Sequence, residues 1–187
     1  MLNYNSVIKN EINQESISVK EISPVIKINL RGKKREFLTN IGKNLNMILP
    51  TEANTSTTSD KLTAIWLSPD EWMIISNELA SKDTNKSDLY EMLFNSISKT
   101  NLGAVIDVTD QFVQLELKGE NVYEIFSAGS PFNFNEFKEK KGSTTQTVLN
   151  HVDVILHHKD ENILNLFVRR SFAEHLFSWI EDCASRL

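Results

Sequence analysis

The sequence has few of the residues that mark disulfide scaffolds, nucleotide-binding loops or membrane spans. It has one cysteine, Cys183, so no disulfide can form within the chain. Its six glycines are scattered, and none belongs to a G-x-G-x-x-G or Walker-type loop. No apolar run approaches the roughly 20 residues that cross a bilayer. We therefore expect a cytoplasmic protein that does not hold NAD, FAD or ATP by those loops and does not insert into a membrane.

Positive charge is also scarce. The formal net charge is -5, and only 5 of the 20 basic residues are arginine. A chain that binds a nucleic-acid backbone usually carries a basic surface, so nucleic-acid binding is excluded as the expected function. The remaining composition, 40% hydrophobic and 24% charged over 187 residues, is that of an ordinary globular protein.

The chain divides by composition into an arm and a folded part. Residues 1–23 are polar and weakly patterned, which predicts a flexible or partner-bound N-terminal arm. Residues 24–187 alternate between apolar and polar in short runs. They predict one α+β domain, or two halves that each run from strands to a helix.

Apolar periodicity predicts nine strands and three helices. The helices fall at 86–99, at 119–129 and from Ser171 onward. The predicted strands are 25–30, 45–49, 62–68, 72–76, 102–109, 112–118, 144–150, 152–158 and 162–169, and 51–61 is a polar loop. Strands that follow one another in hairpin-connected pairs favour antiparallel sheets with helices packed on one face.

The histidines are the first candidates for chemistry. On a strand, His151, Asp153 and His157 would share a face, with His158 on the other. That spacing permits a metal site, but a strand-edge or interface role is favoured, because no second group of ligands accompanies them. The Cys183 thiol, near the chain end, is not expected to be a nucleophile.

Two carboxylates flank a predicted turn between strands. Asp107 and Asp110 lie on either side of Thr109. A carboxylate here could bind an amine or a pterin-like ring. We favour the alternative that Asp110 and Thr109 cap the turn by bonding backbone N–H groups.

Large aromatic residues and one arginine are the candidates for contacts with other chains. Trp66, Trp72 and Phe132 offer large apolar surfaces that anchor either a core or an interface. Arg170 precedes the last helix, where the helix dipole disfavours a cation. Its position predicts a carboxylate or carbonyl partner, in this chain or in another.

Four segments carry a resemblance to a known family. Residues 66–76, with the hairpin W-L-S-P-D-E-W, and residues 103–134, 142–158 and 168–183 resemble the gamma subunit of heterotetrameric sarcosine oxidase in order and spacing. That subunit is similar in fold to the folate-binding domain of the aminomethyltransferases of glycine cleavage. Those enzymes have a glycine-rich turn and an acidic pair, where this chain offers Asp153 alone.

The resemblance implies a non-catalytic structural and assembly subunit, with partners called alpha, beta and delta. The complex would demethylate sarcosine oxidatively to glycine and pass the one-carbon unit to tetrahydrofolate. FAD, FMN, NAD, tetrahydrofolate and zinc would all lie on the partner subunits. The interface candidates on this chain are Trp66, Trp72, Phe132 and Arg170.

Two alternatives stay open. One is a free-standing protein that binds folate or transfers an aminomethyl group, with Asp107 or Asp153 as the pterin carboxylate. The other is the equivalent subunit of a related N-methyl amino acid dehydrogenase, because substrate contacts would lie on other chains.

We predict that the purified chain is colourless and has no oxidase activity alone, since its sequence has no nucleotide-binding loop. The absorbance spectrum of the isolated chain tests this. A stoichiometric flavin band would contradict the prediction.

Overall fold

The computed structural model describes residues 5–22, 25–76 and 87–187. The chain forms two compact units. One unit is residues 24–109, and the other combines 110–187 with the N-terminal residues 1–23. Both are α+β, with antiparallel sheets and helices, as the sequence predicts.

The unit of residues 24–109 contains a five-stranded sheet and two helices. A π-helical turn, Phe94–Ser98, directly follows the second of these helices. The elements are β3 (Lys27–Arg31), α1 (Arg35–Leu45), β4 (Ser56–Thr58), β5 (Leu62–Ser68), β6 (Glu71–Ser76), α2 (Ser87–Leu93) and β7 (Ala104–Asp107).

The other unit contains a six-stranded sheet and two helices. Short 3₁₀ turns lie at Phe137–Glu139 and Arg170–Phe172. The elements are β1 (Ile12–Asn13), β2 (Ser18–Glu21), β8 (Phe112–Lys118), α3 (Val122–Gly129), β9 (Thr144–Leu149), β10 (Val152–Asp160), β11 (Ile163–Arg169) and α4 (Ala173–Ala184).

The two sheets repeat one strand order. The first is β4-β5-β6-β3-β7, and the second contains β9-β10-β11-β8-β2 in matching positions, with β1 beyond β2. In both, a strand leads through a helix to three antiparallel strands and a second helix. Omitting β4, the order β5-β6-β3-β7 with its two helices is the split β-α-β topology of ferredoxin-like folds. Strand β2 takes the position in the second sheet that β7 takes in the first.

The N-terminal segment differs from the predicted flexible or partner-bound arm. Its strand β2 pairs with β8 from Ser18–Lys118 to Glu21–Leu115, and Val19 is fully buried. Strand β8 would otherwise expose a row of unpaired backbone groups on this edge, so pairing supplies the order that the polar sequence does not predict.

Helix α1 was missed, and the predicted strand at 45–49 is wrong. Phe37, Ile41 and Leu45 lie four residues apart and form the buried stripe of α1. The helix ends at Asn46, whose left-handed conformation (φ 49°) stops it. The predicted polar loop 51–61 also contains the short strand β4, paired with β5.

Each unit has its own apolar core between its sheet and its helices. Strand β8 contributes Val113, Leu115 and Leu117 to the larger core, and α4 contributes Leu176 and Ile180 among others. Phe172 lies in the 3₁₀ turn before α4 and is exposed, so it does not contribute to this core.

We predict that Val19→Ala lowers the free energy of unfolding by about 2 kcal/mol, because it removes buried methyl groups from the larger core. Urea unfolding of the full chain measures this. The matched control is the exposed neighbour Lys20→Ala, expected to change stability by about 0.5 kcal/mol or less. Equal stability of both variants would show that residues 18–21 do not hold the sheet together.

Candidate functional site

The carboxylate of Asp107 is used within its own turn. Its Oδ1 accepts the backbone N–H of Thr109 at 2.9 Å. The buried Thr109 hydroxyl accepts the Lys27 N–H at 3.0 Å and donates to the Lys27 carbonyl at 3.3 Å. The two Thr109 bonds tie β3 to the chain after β7. The carboxylate that accepts a backbone N–H of the turn is Asp107, whereas the sequence analysis expected the cap from Asp110 and Thr109.

The structure separates the clustered histidines. Asp153 and His157 share a face of β10 and His158 lies on the other, as strand alternation requires. His151 instead occupies the two-residue turn with Asn150, both at positive φ, between the paired Leu149 and Val152. In the described ranges, no three His, Cys, Asp or Glu side chains are placed to hold a metal ion.

A transverse polar row crosses the sheet face that lies opposite the larger core. Thr144 pairs with His157, His157 with Asn165, and Asn165 with Glu116, each on a neighbouring strand. All four are buried. Within the described residues, Thr144 Oγ1 and Asn165 Oδ1 have no hydrogen-bond partner. Buried polar atoms of this kind are uncommon, so this row is a feature that the sequence reasoning missed.

Charges in the row are controlled by burial and lysines. Burial, followed by the charges of His158 and Lys159, lowers the pKa of His157 to about 4, so the ring is neutral at pH 7. Burial by itself raises the pKa of Glu116, but hydrogen bonds from Lys118 and Lys159 outweigh it and lower that pKa below its usual value. Lys118 lies 3.0 Å and Lys159 3.2 Å from the Glu116 carboxylate.

Trp66 and Trp72 form a cross-strand pair on the predicted hairpin. Trp72 is only 3% exposed. Its ring packs near Phe37, and its Nε1 donates to the Pro50 carbonyl at 2.8 Å. Trp66 is half-buried. Both line a pocket of about 330 Å³ that also includes Lys33. Trp66 therefore keeps part of its surface exposed. Trp72 was also expected at an interface, but residues of its own unit bury it.

Phe132 belongs to an aromatic cluster around His158. It lies edge-on to Phe134 and Phe137, with ring centroids 5.0 and 5.9 Å apart. His158 Nδ1 is 3.1 Å from the carbonyl oxygens of Phe137 and Lys140, which orients its ring among these aromatics. Phe132 is half-buried and keeps part of its surface open.

Arg170 and Cys183 have structural surroundings. The Arg170 guanidinium donates to the Asn5 carbonyl, the type of partner that its position before a helix predicted, and it holds the N-terminal segment. Burial and the Asp182 carboxylate raise the pKa of the Cys183 thiol, which disfavours the nucleophilic thiolate.

Lys27 is a buried charged residue that the sequence reasoning did not identify. It is 1% exposed, and its Nζ donates to the Val25 carbonyl at 3.0 Å. Side chains alternate between the two faces of the strand in the run 25–30, so Lys27 lies on the face opposite to that of Ile28 and Leu30. The pattern predicts that this face is exposed to solvent. Only tertiary packing shows that this second face is covered.

The fold is shared with two solved structures. It matches a chain of "Heterotetrameric Sarcosine Oxidase from Corynebacterium sp. U-96 in complex with pyrrole 2-carboxylate" with a TM-score of 0.81 and 20% identity, over 94% of this chain and 88% of that one. It also matches the glycine cleavage system aminomethyltransferase T from Bartonella henselae with a TM-score of 0.64 and 16% identity, over 88% of this chain and 45% of that one. The folate-binding-like fold is thereby shown.

The family follows from sequence. The family described as sarcosine oxidase, gamma subunit matches residues 32–186. The chain belongs to that family, as the resemblance of its motifs indicated. Among curated protein sequences there is no significant match. In the described ranges, no helix combines the length and hydropathy of a membrane span.

We predict that His157→Gln makes the protein less sensitive to acid. The pKa of His157 is lower in the folded state (about 4) than its ordinary value of 6.5, so between these pH values the unfolded state binds the extra proton. This proton uptake costs the wild type about 3 kcal/mol as the pH falls from 7 to 4.

The free energy of unfolding, measured by denaturant at several pH values, tests this prediction. The variant should lose less stability across that window, whatever its stability at pH 7. The exposed His151→Gln is the control and should keep the wild-type slope. A wild-type slope for His157→Gln would mean that His157 is not the group responsible.

Proposed function

We propose that this chain is a non-catalytic structural and assembly subunit of a heterotetrameric sarcosine oxidase in the cytoplasm. The observation that carries the proposal is membership of the gamma subunit family over residues 32–186. The likeness of nearly the whole chain to one chain of a heterotetrameric sarcosine oxidase supports the assembly. The complex would convert sarcosine oxidatively to glycine, with tetrahydrofolate as the one-carbon acceptor and alpha, beta and delta subunits as partners.

The cofactors FAD, FMN, NAD, tetrahydrofolate and zinc are proposed for the partner subunits. Gly32 and Gly103 support this, because both lie against the ring of Phe37 and leave room for that core side chain. A Cβ at Gly32 would lie 2.5 Å from the Phe37 ring, and one at Gly103 would lie 2.3 Å from the Arg31 carbonyl oxygen and 2.9 Å from the same ring. These glycines make room for Phe37 and do not form a phosphate cradle.

Trp66 and Phe132 are the proposed anchors of the subunit contacts. Both are half-buried aromatic residues that pack on the edge of a core and keep an open side. A few such residues usually supply most of the binding energy of an interface. Arg170 contributes indirectly in this proposal, since it holds residue Asn5 of its own chain.

Co-expression with candidate alpha, beta and delta subunits tests the assembly role. We expect a tagged copy of this chain to co-purify with them, and the complex, unlike the chain alone, to carry flavin and oxidise sarcosine. Activity on another N-methyl amino acid would favour the dehydrogenase alternative. Tetrahydrofolate bound to the isolated chain, with no assembly, would favour the free-standing folate-binding alternative.

Trp66→Ala should weaken co-purification of this chain with the partner subunits and should change the melting temperature of the isolated chain only slightly. Trp72→Ala is the matched control, because removing a buried aromatic residue costs about 3–5 kcal/mol of stability. It should therefore lower the melting temperature of the isolated chain first. If Trp66→Ala assembles like the wild type, Trp66 is not an anchor.

A further inference from the structure

A pocket of about 590 Å³ lies on the six-stranded sheet, on the face opposite the larger core. It is formed by one end of β8, β9, β10 and β11, entirely within one unit. The side chains that matter to its chemistry are Phe112, Gln146, Val148, Asp153, Ile155 and Arg169. A pocket of this volume accommodates a small organic molecule.

The pocket is lined by one negative and one positive side chain on neighbouring strands, Asp153 of β10 and Arg169 of β11. Each lies one residue beyond Val154 and Val168, the last pair of these two strands. Both are exposed, and neither makes an ion pair or a side-chain hydrogen bond with any residue that the structure describes. Their charges are therefore available to a ligand.

Apolar side chains line the pocket beside these charges. Ile155 is buried, and Phe112 and Val148 are half-buried. They offer the carbon atoms of a small ligand an apolar surface next to the two charged groups.

We propose that this pocket binds a small zwitterion that carries a carboxylate and an amine a few bonds apart, such as a glycine-like amino acid. Arg169 pairs with the carboxylate through its guanidinium fork, and Asp153 accepts the ammonium protons. The Phe112 ring adds a cation–π contact to the amine. A pocket with one charge of each sign prefers a neutral zwitterion to a ligand with net charge. This inference does not depend on the proposed function.

The test is amide chemical-shift mapping of the isotope-labelled full chain with five probes. Glycine and sarcosine should shift resonances around Asp153 and Arg169, and glycine betaine, which has no N–H to donate to Asp153, should bind more weakly. Acetate and methylamine, which carry only one of the two charges, should bind at least about tenfold more weakly. Acetate binding as tightly as glycine would overturn the proposal, and so would no shift with any zwitterion.

Variants separate the two charges. Arg169→Gln and Asp153→Asn should each weaken glycine binding about tenfold or more. The double reversal, Asp153→Arg with Arg169→Asp, should restore it, since the pocket again holds one charge of each sign. The exposed Glu181→Gln on α4 is the control. Unchanged affinity in the single variants would overturn the proposal, and circular dichroism would verify that each is folded. Either failure leaves the assembly test unaffected.

Discussion

The pairing of β2 with β8 is the interaction on which the larger unit depends. Strand β8 lies inside the six-stranded sheet, with β11 on one side and β2 on the other. Its backbone groups on the β2 side need partners, because an open strand edge next to a core is costly and invites wrong pairing. The chain meets this need with residues 18–21, which lie 94 to 100 positions before their partners in sequence. Arg170 adds a second tie to the same segment through Asn5.

The repeated strand order explains why the N-terminal segment is required. In the unit of residues 24–109, β7 follows α2 in sequence and pairs with β3. In the other unit, the strand that pairs with β8 at this position is β2, which comes before β8 in sequence. The N-terminal β2 occupies the equivalent position. The positions of the strands in the sheet are thus the same in both units, although β2 precedes β8 along the chain and β7 follows β3. This is possible because a strand in a sheet requires a hydrogen-bonded partner strand but not a particular connection to it.

The polar side chains of interest cluster on the sheet face opposite the larger core. The transverse polar row and the pocket with Asp153 and Arg169 both lie there. On this face burial keeps His157 neutral, and lysines keep Glu116 ionised. Asp107, one of the two carboxylates that the sequence alone offered for a pterin, accepts a backbone N–H within a turn. The family of the chain is shown by its sequence and not by these placements.

Local patterns determined much of the structure. The hairpin that pairs Trp66 with Trp72, the strands from 112 to 169 and the helices around Ile97, Ile125 and Ile180 were predictable, because strand and helix periodicities depend on neighbouring residues. The family was also readable from motifs in the sequence. Tertiary structure alone decided that residues 18–21 form a strand, that Lys27 and His157 are buried, and that Asp153 and Arg169 line one pocket. These features depend on which distant segments become neighbours, and apolar periodicity within a segment contains no information about its partner strand or about what covers its second face.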